Sequence, residues 1–311
     1  MKKNLNRRDF IKTGSLLGTA VLIGGPLAGN LLSSPIGQDL KFASVESKDR
    51  LRCTYKAVEL VGGMGKFVTK GAKVGLLINA PSWWRKKGSF VHPDVVLAVV
   101  KMCFESGAAE VQYLIDPPGT YFDISKLKDK YSEQIKSIKG CSGNFVSKEI
   151  PRAKSLKKVE IIKEVFECDT FINVPIFKHH VGTNMSGCLK NMMGLNTSST
   201  NKYFHNGSGS KGGYDDVNFL SQCIVDLNTL RKPDLCVMDA TEFLGTGGPA
   251  GPGLIMTANR VIAGTDPVAI DSYSSAFLKH KPGEITMVRM AHERKLGDYN
   301  YKKQNYKELT I

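Results

Sequence analysis

The sequence predicts an α/β protein with an open, mostly parallel sheet, helices on both faces of the sheet and active-site loops at the carboxyl ends of the strands. The chain has 311 residues, of which 41% are hydrophobic, which is enough for a substantial core. Strand and helix patterns alternate along it, as they do where crossover helices join parallel strands. Loops rich in polar and charged residues follow four of the predicted strands. Open α/β sheets bind ligands at that edge, so a functional site is expected there.

Residues 1–34 have the features of an export segment. Arg7 and Arg8 are followed by Phe10, Lys12 and a weakly apolar stretch that contains several glycines. This pattern resembles a twin-arginine signal; the alternatives are an ordinary secretion signal and a short membrane anchor. The resemblance implies the twin-arginine translocase as a partner during export and a location in the periplasm or cell envelope. It also implies membrane association if the segment is not cleaved.

The rest of the chain is predicted to be a linker or N-terminal extension over residues 35–57 and an α/β domain over residues 58–311. Proline and glycine residues support the predicted helix boundaries. Proline favours the first turn of a helix, and glycine favours the position just after the last turn. The predicted elements are a strand over 73–79, a helix from Pro93 to Gly107, a strand over 110–116, a helix near 157–166, a strand over 170–177, a helix near 217–230, strands over 234–240 and 260–266, a helix from Pro267 capped by Asp266, and a last helix over 283–295.

Charge and cysteine content restrict the function classes. The net charge of +14 suits an anionic ligand, a membrane surface or nucleic acid. The chain has no aromatic-rich single-strand motif, helix-turn-helix signature or zinc-finger spacing, so no nucleic-acid partner is predicted. Its seven cysteines are scattered and form no C-x-x-C pair. Neither a disulfide framework nor a self-contained zinc or iron–sulfur site is therefore expected.

The segment 177–194, FKHHVGTNMSGCLKNMMG, contains the densest set of candidate groups. A Ser-Gly turn between His180 and Lys190 predicts the start of a short helix, whose free N–H groups would bind an anion together with Lys178. His205 is placed to return to the same cluster of loops. The alternative is structural: the histidines end a strand and the lysines are solvated.

A second loop, DATEFLGTGGPAGPG, supplies candidate carboxylates. Asp239 and Glu242 are predicted acid/base or metal groups, with ordinary surface carboxylates as the alternative. The glycine-rich part lacks the Lys-Ser/Thr ending of a phosphate loop, so a flexible loop explains it equally well. Asp271 lies four residues beyond the start of a predicted helix and faces either solvent or the cleft.

Five segments together resemble one known family. They are GGMGKFVTKGAKVGLLIN, HPDVVLAVVKMCFESGAAEV, INVPIFKHHVGTNMSGCLKNMMG, DATEFLGTGGPAG and GTDPVAIDSYSS. On these segments the chain is identified as a member of domain of unknown function family 362 over about residues 58–280. The family's activity is largely undefined. Some members carry an additional ferredoxin-type cluster domain, whose cysteines this chain lacks.

A remote resemblance concerns the spacing of His180, Ser186, Gly187, Lys190 and His205. It is similar to the segment of the nickel-dependent lactate racemase family that surrounds a covalently attached nickel-pincer nucleotide. The resemblance implies Lys190 as the attachment point, His205 as a metal ligand and His180 as an acid/base. Cys188 and Leu189 stand where that family has glycine and arginine, and the loop DPPGTYFD lacks a histidine that the family has. The resemblance therefore implies a pocket for an anionic or metal-containing cofactor rather than lactate racemisation itself.

The first functional hypothesis is an exported cofactor- or metal-dependent enzyme, oxidoreductase- or isomerase-like, acting on a small anionic substrate. The alternative is a non-catalytic cell-envelope protein that binds or delivers a metal, an iron–sulfur cluster or an anionic ligand; a third hypothesis is a basic surface scaffold. The cofactor is open, with nickel, iron or a nickel-pincer-like nucleotide as candidates. The predicted residues are His180, Lys190 and Asp239 for catalysis, Lys178, Ser186, Gly187, Lys190 and Asn191 for cofactor binding, and His205, His180 and Cys188 for a metal.

Overall fold

The computed structural model describes residues 39–81, 86–207 and 216–311. The predicted export segment lies outside the described residues, and so do Trp83, Trp84 and Arg85 in the loop that follows the first predicted strand. Asp39–Ile311 form one structural unit.

The described residues contain eleven strands and eight α-helices, joined by several 3₁₀ turns. The strands are β1 (Phe42–Glu46), β2 (Lys73–Ile78), β3 (Glu110–Tyr113), β4 (Phe145–Glu149), β5 (Lys158–Ile162), β6 (Thr170–Val174), β7 (Lys178–His180), β8 (Asn184–Ser186), β9 (Leu235–Leu244), β10 (Ile255–Gly264) and β11 (Tyr306–Thr310). The helices are α1 (Arg50–Leu60), α2 (Pro93–Glu105), α3 (Ser132–Ser137), α4 (Cys188–Asn191), α5 (Ser198–Asn206), α6 (Val217–Asn228), α7 (Pro267–Ser275) and α8 (Thr286–Glu293).

Local sequence signals account for the ends of the longer helices. In α2, the His92 side chain accepts from the Asp94 backbone N–H, and Pro93 occupies the first turn. Gly107, just beyond the helix, has a φ of +91°, which glycine adopts without strain. At α7, the Asp266 carboxylate accepts two backbone N–H bonds of the first turn. These boundaries agree with the prediction because each depends on residues only a few positions apart.

Seven strands form the main sheet in the order β11-β1-β10-β9-β6-β2-β3. The pairings β2–β3, β2–β6, β6–β9 and β1–β11 are parallel, whereas β10 is antiparallel to both of its neighbours. Within this sheet β10 therefore runs alone against the direction of the other six strands. The predicted open, mostly parallel α/β sheet is confirmed.

Helices cover both faces of the sheet, and alternation along the strands divides the core between them. On β2, Leu77 belongs to the cluster that contains α4, α6, α7 and α8, whereas Leu76 belongs to the cluster that contains α1 and α2. Buried positions of a strand between two helical layers are mostly apolar, which explains why β2, β6 and the first half of β9 are largely apolar, with Asn173 on β6 as a buried polar exception. Burying each such leucine stabilises the fold by roughly 1.5–3 kcal/mol.

The prediction that residues 35–57 form a linker is wrong for the part that the structure describes. Residues 42–46 are β1, which lies inside the sheet between β10 and β11, and α1 begins at Arg50. Phe42, Ala43 and Val45 are fully buried. The partners of β1 lie more than 200 residues further along the chain. The five residues of β1 therefore could not by themselves predict which strands it pairs with.

The helix predicted near residues 157–166 is also wrong. Lys158–Ile162 form β5, which pairs with β4 in a separate two-stranded sheet, and a 3₁₀ turn follows. Val159 and Ile161 are buried on either side of the half-buried Glu160, and Lys158 before them is exposed. That period of two, with β-branched residues, favours a strand over a helix.

Candidate functional site

The chain leaves β6 and enters a short antiparallel hairpin, β7 and β8, at the carboxyl edge of the sheet. In this hairpin Lys178 is paired with Ser186, and both side chains are buried. The Phe177 backbone N–H donates to the Asp239 carbonyl oxygen at 2.8 Å, which holds the start of the hairpin against β9. The structure therefore brings the predicted residues of the segment 177–194 to the edge where α/β sheets bind ligands.

Lys178 is the most unusual group at this edge, because its side chain is only 1% exposed. Its Nζ donates to the Ser89 carbonyl oxygen at 2.5 Å, and Asn79 Oδ1 lies 3.4 Å from the same nitrogen. Burial, together with the positive charge of Lys190, lowers the pKa of Lys178 to about 7. A substantial fraction of this amine is therefore uncharged near neutral pH.

A chain of asparagines connects Lys178 to α4. Asn79 Nδ2 donates to Asn191 Oδ1 at 3.0 Å, and Asn191 Nδ2 donates to Asn173 Oδ1 at 2.7 Å. Asn173 Nδ2 then donates to the Cys188 carbonyl oxygen at 2.9 Å. Asn191, predicted to bind a cofactor, is thus a link that fixes the positions of Asn79 and Lys178. Buried and mutually bonded amides of this kind hold a site rigid.

Sequence reasoning missed Asn79 and Asn173. Asn173 is a polar residue within the apolar strand β6, and Asn79 immediately follows the apolar strand β2. An amide in such a run must find a partner when it is buried, so this signal was available.

His180 is 5% exposed, and its Nδ1 accepts from the Gly182 backbone N–H at 3.0 Å. Burial is the main cause of its strongly lowered pKa, and Lys190, Lys178 and His205 lower it further. The ring is therefore neutral, with its proton on Nε2. Since these electrostatic effects require proximity, they show that the predicted residues on β7, α4 and α5 converge.

Lys190 and His205 lie at the more accessible side of this cluster. Both are half-buried, and Lys190 Nζ lies 3.4 Å from the Met193 sulfur. We call Lys178, His180, Lys190 and His205 the lysine–histidine cluster. Within the described residues it combines two amines with two imidazoles, so an anion is its complementary ligand.

The predicted anion site at the N-terminus of α4 is occupied by a side chain of the protein itself. The Asp271 carboxylate accepts from the backbone N–H groups of Cys188 at 2.6 Å and Leu189 at 3.0 Å. Gly187 is needed for this contact, because a Cβ there would lie 2.3 Å from Asp271 Oδ1. Gly187 therefore makes room for Asp271 instead of binding a cofactor phosphate.

Asp239 lies on the other face of the sheet, with α1 and α2. It is 1% exposed and accepts from the His92 N–H at 2.8 Å, the Thr241 N–H at 2.9 Å and the Thr241 hydroxyl at 2.7 Å. Glu242 is ion-paired with Arg50 at 2.6 Å and with Lys87 at 2.7 Å. The three hydrogen bonds give Asp239 a structural role in joining α2 to β9, separate from the lysine–histidine cluster.

Two cavities open near the residues that hold the Lys178 amine. One of about 340 Å³ contains Ala80, Pro81 and Phe90 in its wall, and one of about 270 Å³ contains Gly88 and Phe90. Asn79 and Ser89 directly adjoin these wall residues in the chain. The smaller cavity also has Asp239 and Glu242 in its wall, so it belongs to the Asp239 side and is not formed by the lysine–histidine cluster.

No group of three histidine, cysteine or carboxylate side chains in the described ranges is arranged to hold a metal ion. Cys188, predicted as a ligand, is fully buried, and burial raises the pKa of its thiol well above its usual value. The anion position beside it is filled by Asp271. The described residues thus do not fit a nickel or iron centre held by protein side chains alone. We derive no step through a metal or a metal-containing cofactor.

Across the described part of the chain, every helix is too short or too polar to cross a membrane.

The fold and the site together define an α/β protein with a buried lysine–histidine cluster at the carboxyl edge of a mostly parallel sheet. The chain belongs to the family described as Domain of unknown function (DUF362), whose model matches residues 74–276. The predicted family membership is confirmed.

One curated relative is the thylakoid-associated protein sll1697 of Synechocystis sp., which is 24% identical over 265 residues, 83% of this chain and 78% of that protein. Among solved structures, the lactate racemase apoprotein from Thermoanaerobacterium thermosaccharolyticum matches with a TM-score of 0.44 and 13% identity. That match covers 73% of this chain and 54% of the racemase, so this chain spans about half of the racemase. A similarity this weak supports no conclusion about the activity or the site residues of this chain.

Proposed function

We propose that this protein is an exported enzyme that acts on a small anionic substrate at the lysine–histidine cluster, with oxidoreductase- or isomerase-like chemistry. The observation that carries the proposal is the buried amine of Lys178, whose pKa is lowered to about 7 beside Lys190. Strongly perturbed groups in a cluster of ionisable residues are typical of functional sites, where burial and neighbouring charges tune a group's pKa to its chemistry. Burying a lysine costs stability, so stability alone does not explain its position.

The geometry supports a division of roles among three residues. Lys190 supplies positive charge for a substrate carboxylate. The neutral fraction of Lys178 is a base with a pKa suited to neutral pH, and the Nε2–H of the neutral His180 is a hydrogen-bond donor for a negative charge that develops on the substrate. A proton can thus be removed from one atom of the substrate by Lys178 and returned by it to another, as isomerisation requires.

Solvent deuterium exchange tests the proposal across a panel of candidate substrates. Small 2-hydroxy and 2-oxo acids are incubated with the native-host protein in D₂O and followed by proton NMR. Incorporation of deuterium at a carbon next to the hydroxyl or carbonyl supports catalysis. Tight binding without exchange of any of these acids favours the non-catalytic carrier instead. Elemental analysis of the same preparation tests the predicted nickel or iron.

Replacing Lys190 with methionine is expected to weaken binding of a small carboxylate about tenfold, since a charge-assisted contact contributes on the order of 1.5 kcal/mol. Calorimetric titration with lactate measures the change. Lys202→Met on α5 is the matched control, because Lys202 is exposed and its removal should leave the affinity unchanged. Equal affinity of the Lys190 variant and the wild type would place the anion elsewhere.

Export by the twin-arginine route and a final location in the periplasm or cell envelope are also part of the proposal. They rest on Arg7, Arg8 and the segment that follows. The thylakoid association in the relative's name supports action at a membrane surface, which the net charge of +14 would favour on anionic lipids.

Changing both Arg7 and Arg8 to lysine is expected to reduce export several-fold. Lysine retains the charge but lacks the planar fork of the guanidinium group. Fractionation of native-host cells followed by immunoblotting measures the exported share, with Lys2→Arg and Lys3→Arg together as the control. Unchanged export of the twin-lysine variant would contradict the proposed route.

A further inference from the structure

We propose that a groove on the Asp239 side of the sheet binds a small amphipathic acid, with the apolar body of the acid in one cavity and its carboxylate in the adjoining one. The two cavities, of about 340 and 270 Å³, share Phe90 and Ile124 as wall residues, and together we call them the Phe90 groove. Among the described residues that form its walls, none belongs to the lysine–histidine cluster. The inference therefore names a second site and goes beyond the proposed function.

The Phe90 groove lies at the edge of the sheet where open α/β proteins bind ligands. The segments that follow β2 and β3 supply Ala80 and Pro118 to its walls, and the last part of β9 supplies Thr241. Because β2 is parallel to both β3 and β6, and β6 is parallel to β9, the carboxyl ends of these strands lie at the same edge. The groove is thus formed by the parts of the fold from which a ligand site is expected.

The larger cavity of the groove has an apolar and aromatic surface. Phe90 and Tyr121 pack edge to face in its wall, with ring centroids 6.3 Å apart. Ile124 is 53% exposed although it lines a concave surface, so a ligand that covers it gains hydrophobic contact. Asp123 in the same wall is ion-paired with Lys128 outside it. The cavity volume lies at the lower end of the range of about 300–1,000 Å³ that is usual for small-molecule sites.

The smaller cavity is lined by charged residues whose carboxylates already have partners. Glu242 is ion-paired with Arg50 and Lys87. Asp239 accepts three hydrogen bonds from the protein and is almost fully buried. Arg50 Nε donates to the Thr241 hydroxyl at 2.9 Å, and that hydroxyl donates to Asp239, so the guanidinium is held in place. The acceptors of this wall are therefore engaged.

Hydrogen-bond donors remain available in the same wall. Arg50 Nη1 has no acceptor within the described residues, and the Lys87 ammonium, 67% exposed, contacts a single oxygen of Glu242. The His92 ring accepts at Nδ1 from the Asp94 N–H, and burial lowers its pKa, so the neutral ring carries its proton on Nε2. A wall with spare donors and engaged acceptors is complementary to a carboxylate. A ligand amine would have to compete with Arg50 and Lys87 for Glu242.

Calorimetric titration of the full-length protein with 3-phenylpropionate tests the inference, with 3-phenylpropylamine as a cationic ligand of similar shape. We expect the acid to bind with a Kd of about 0.1–1 mM and the amine about tenfold more weakly. Ile124→Ala and Lys87→Met should each weaken binding of the acid about fivefold, through lost apolar contact and a lost donor respectively. Ile115→Ala and Lys86→Met are the matched controls, because both residues are exposed and lie outside the two walls. These controls should leave the affinity unchanged.

Two further titrations separate the Phe90 groove from the lysine–histidine cluster. Lys190→Met should leave the affinity for 3-phenylpropionate unchanged, and Lys87→Met should leave the affinity for lactate unchanged. Loss of 3-phenylpropionate binding in the Lys190 variant would place the acid at the cluster and overturn the inference. Absence of binding of the acid, equal or tighter binding of the amine, or equal weakening by the control variants would also overturn it. The lactate titration tests the proposed function independently of all these results.

Discussion

Replacing Asp271 with alanine is expected to lower the free energy of unfolding by about 3 kcal/mol. The change leaves the backbone N–H groups of Cys188 and Leu189 buried without their acceptor, and it leaves a cavity where the carboxylate was. Because α4 carries Lys190 and Asn191, the loss should also weaken substrate binding. Urea unfolding followed by circular dichroism measures the change in free energy.

The stability of the fold is also expected to depend on pH through the ionisation of Asp271. Burial raises the pKa of this carboxyl to about 7, although the Leu189 and Cys188 N–H groups oppose the shift. A folded-state pKa raised above the usual 3.8 means that the stability contribution is complete below pH 3.8 and is lost as the pH rises through about 7. Wild-type stability should therefore fall over that window relative to Asp271→Asn, which does not titrate. An identical pH profile of the two proteins would show that Asp271 is ionised throughout.

Replacing Lys178 with methionine is expected to reduce turnover at least a hundredfold while raising the free energy of unfolding by about 1 kcal/mol at pH 7. Methionine has a similar length and fills the site without a charge. The variant loses the bonds to Ser89 and Asn79, which offsets part of the gain from removing a buried amine. Deuterium exchange measures turnover, and urea unfolding measures stability.

The sign of the stability effect follows from the lowered pKa. A lysine whose folded-state pKa lies at about 7, below the usual 10.5, contributes stability above pH 10.5 that is lost as the pH falls through 7. Lys178→Arg is the informative companion, because arginine stays charged in the same buried position and should destabilise the fold. A methionine variant that loses stability and keeps full turnover would remove Lys178 from the proposed mechanism.

The lysine–histidine cluster shows how far the candidate site could be predicted. His180, Lys190 and His205 were expected to converge because they follow a strand whose carboxyl end must lie at the ligand-binding edge. Their convergence in the structure agrees with that expectation. Asp239 lies within β9, and its side chain points to the other face and holds the start of α2. A shift of one residue along a strand reverses the face, so small errors in strand register change the predicted site completely.

Asp271 shows a second reason why the candidate site could not be predicted fully from the sequence. Its position near the start of a predicted helix was correct, but its partners lie more than 80 residues earlier in the chain. The sequence showed a free helix N-terminus beside Gly187, and nothing local indicated that a distant carboxylate occupies it.

The sequence by itself determined the family, the apolar strands β2, β6, β9 and β10, the capped helices α2 and α7, and the edge of the sheet at which the site lies. Each of these depends on periodicity, capping or strand order within short stretches of chain. Only the tertiary structure decided the position of β1 inside the sheet, the occupation of the α4 N-terminus by Asp271 and the burial of Lys178 beside Lys190. Those features arise from contacts between distant segments, and burial and mutual charge alter a side chain's chemistry only after the chain has folded.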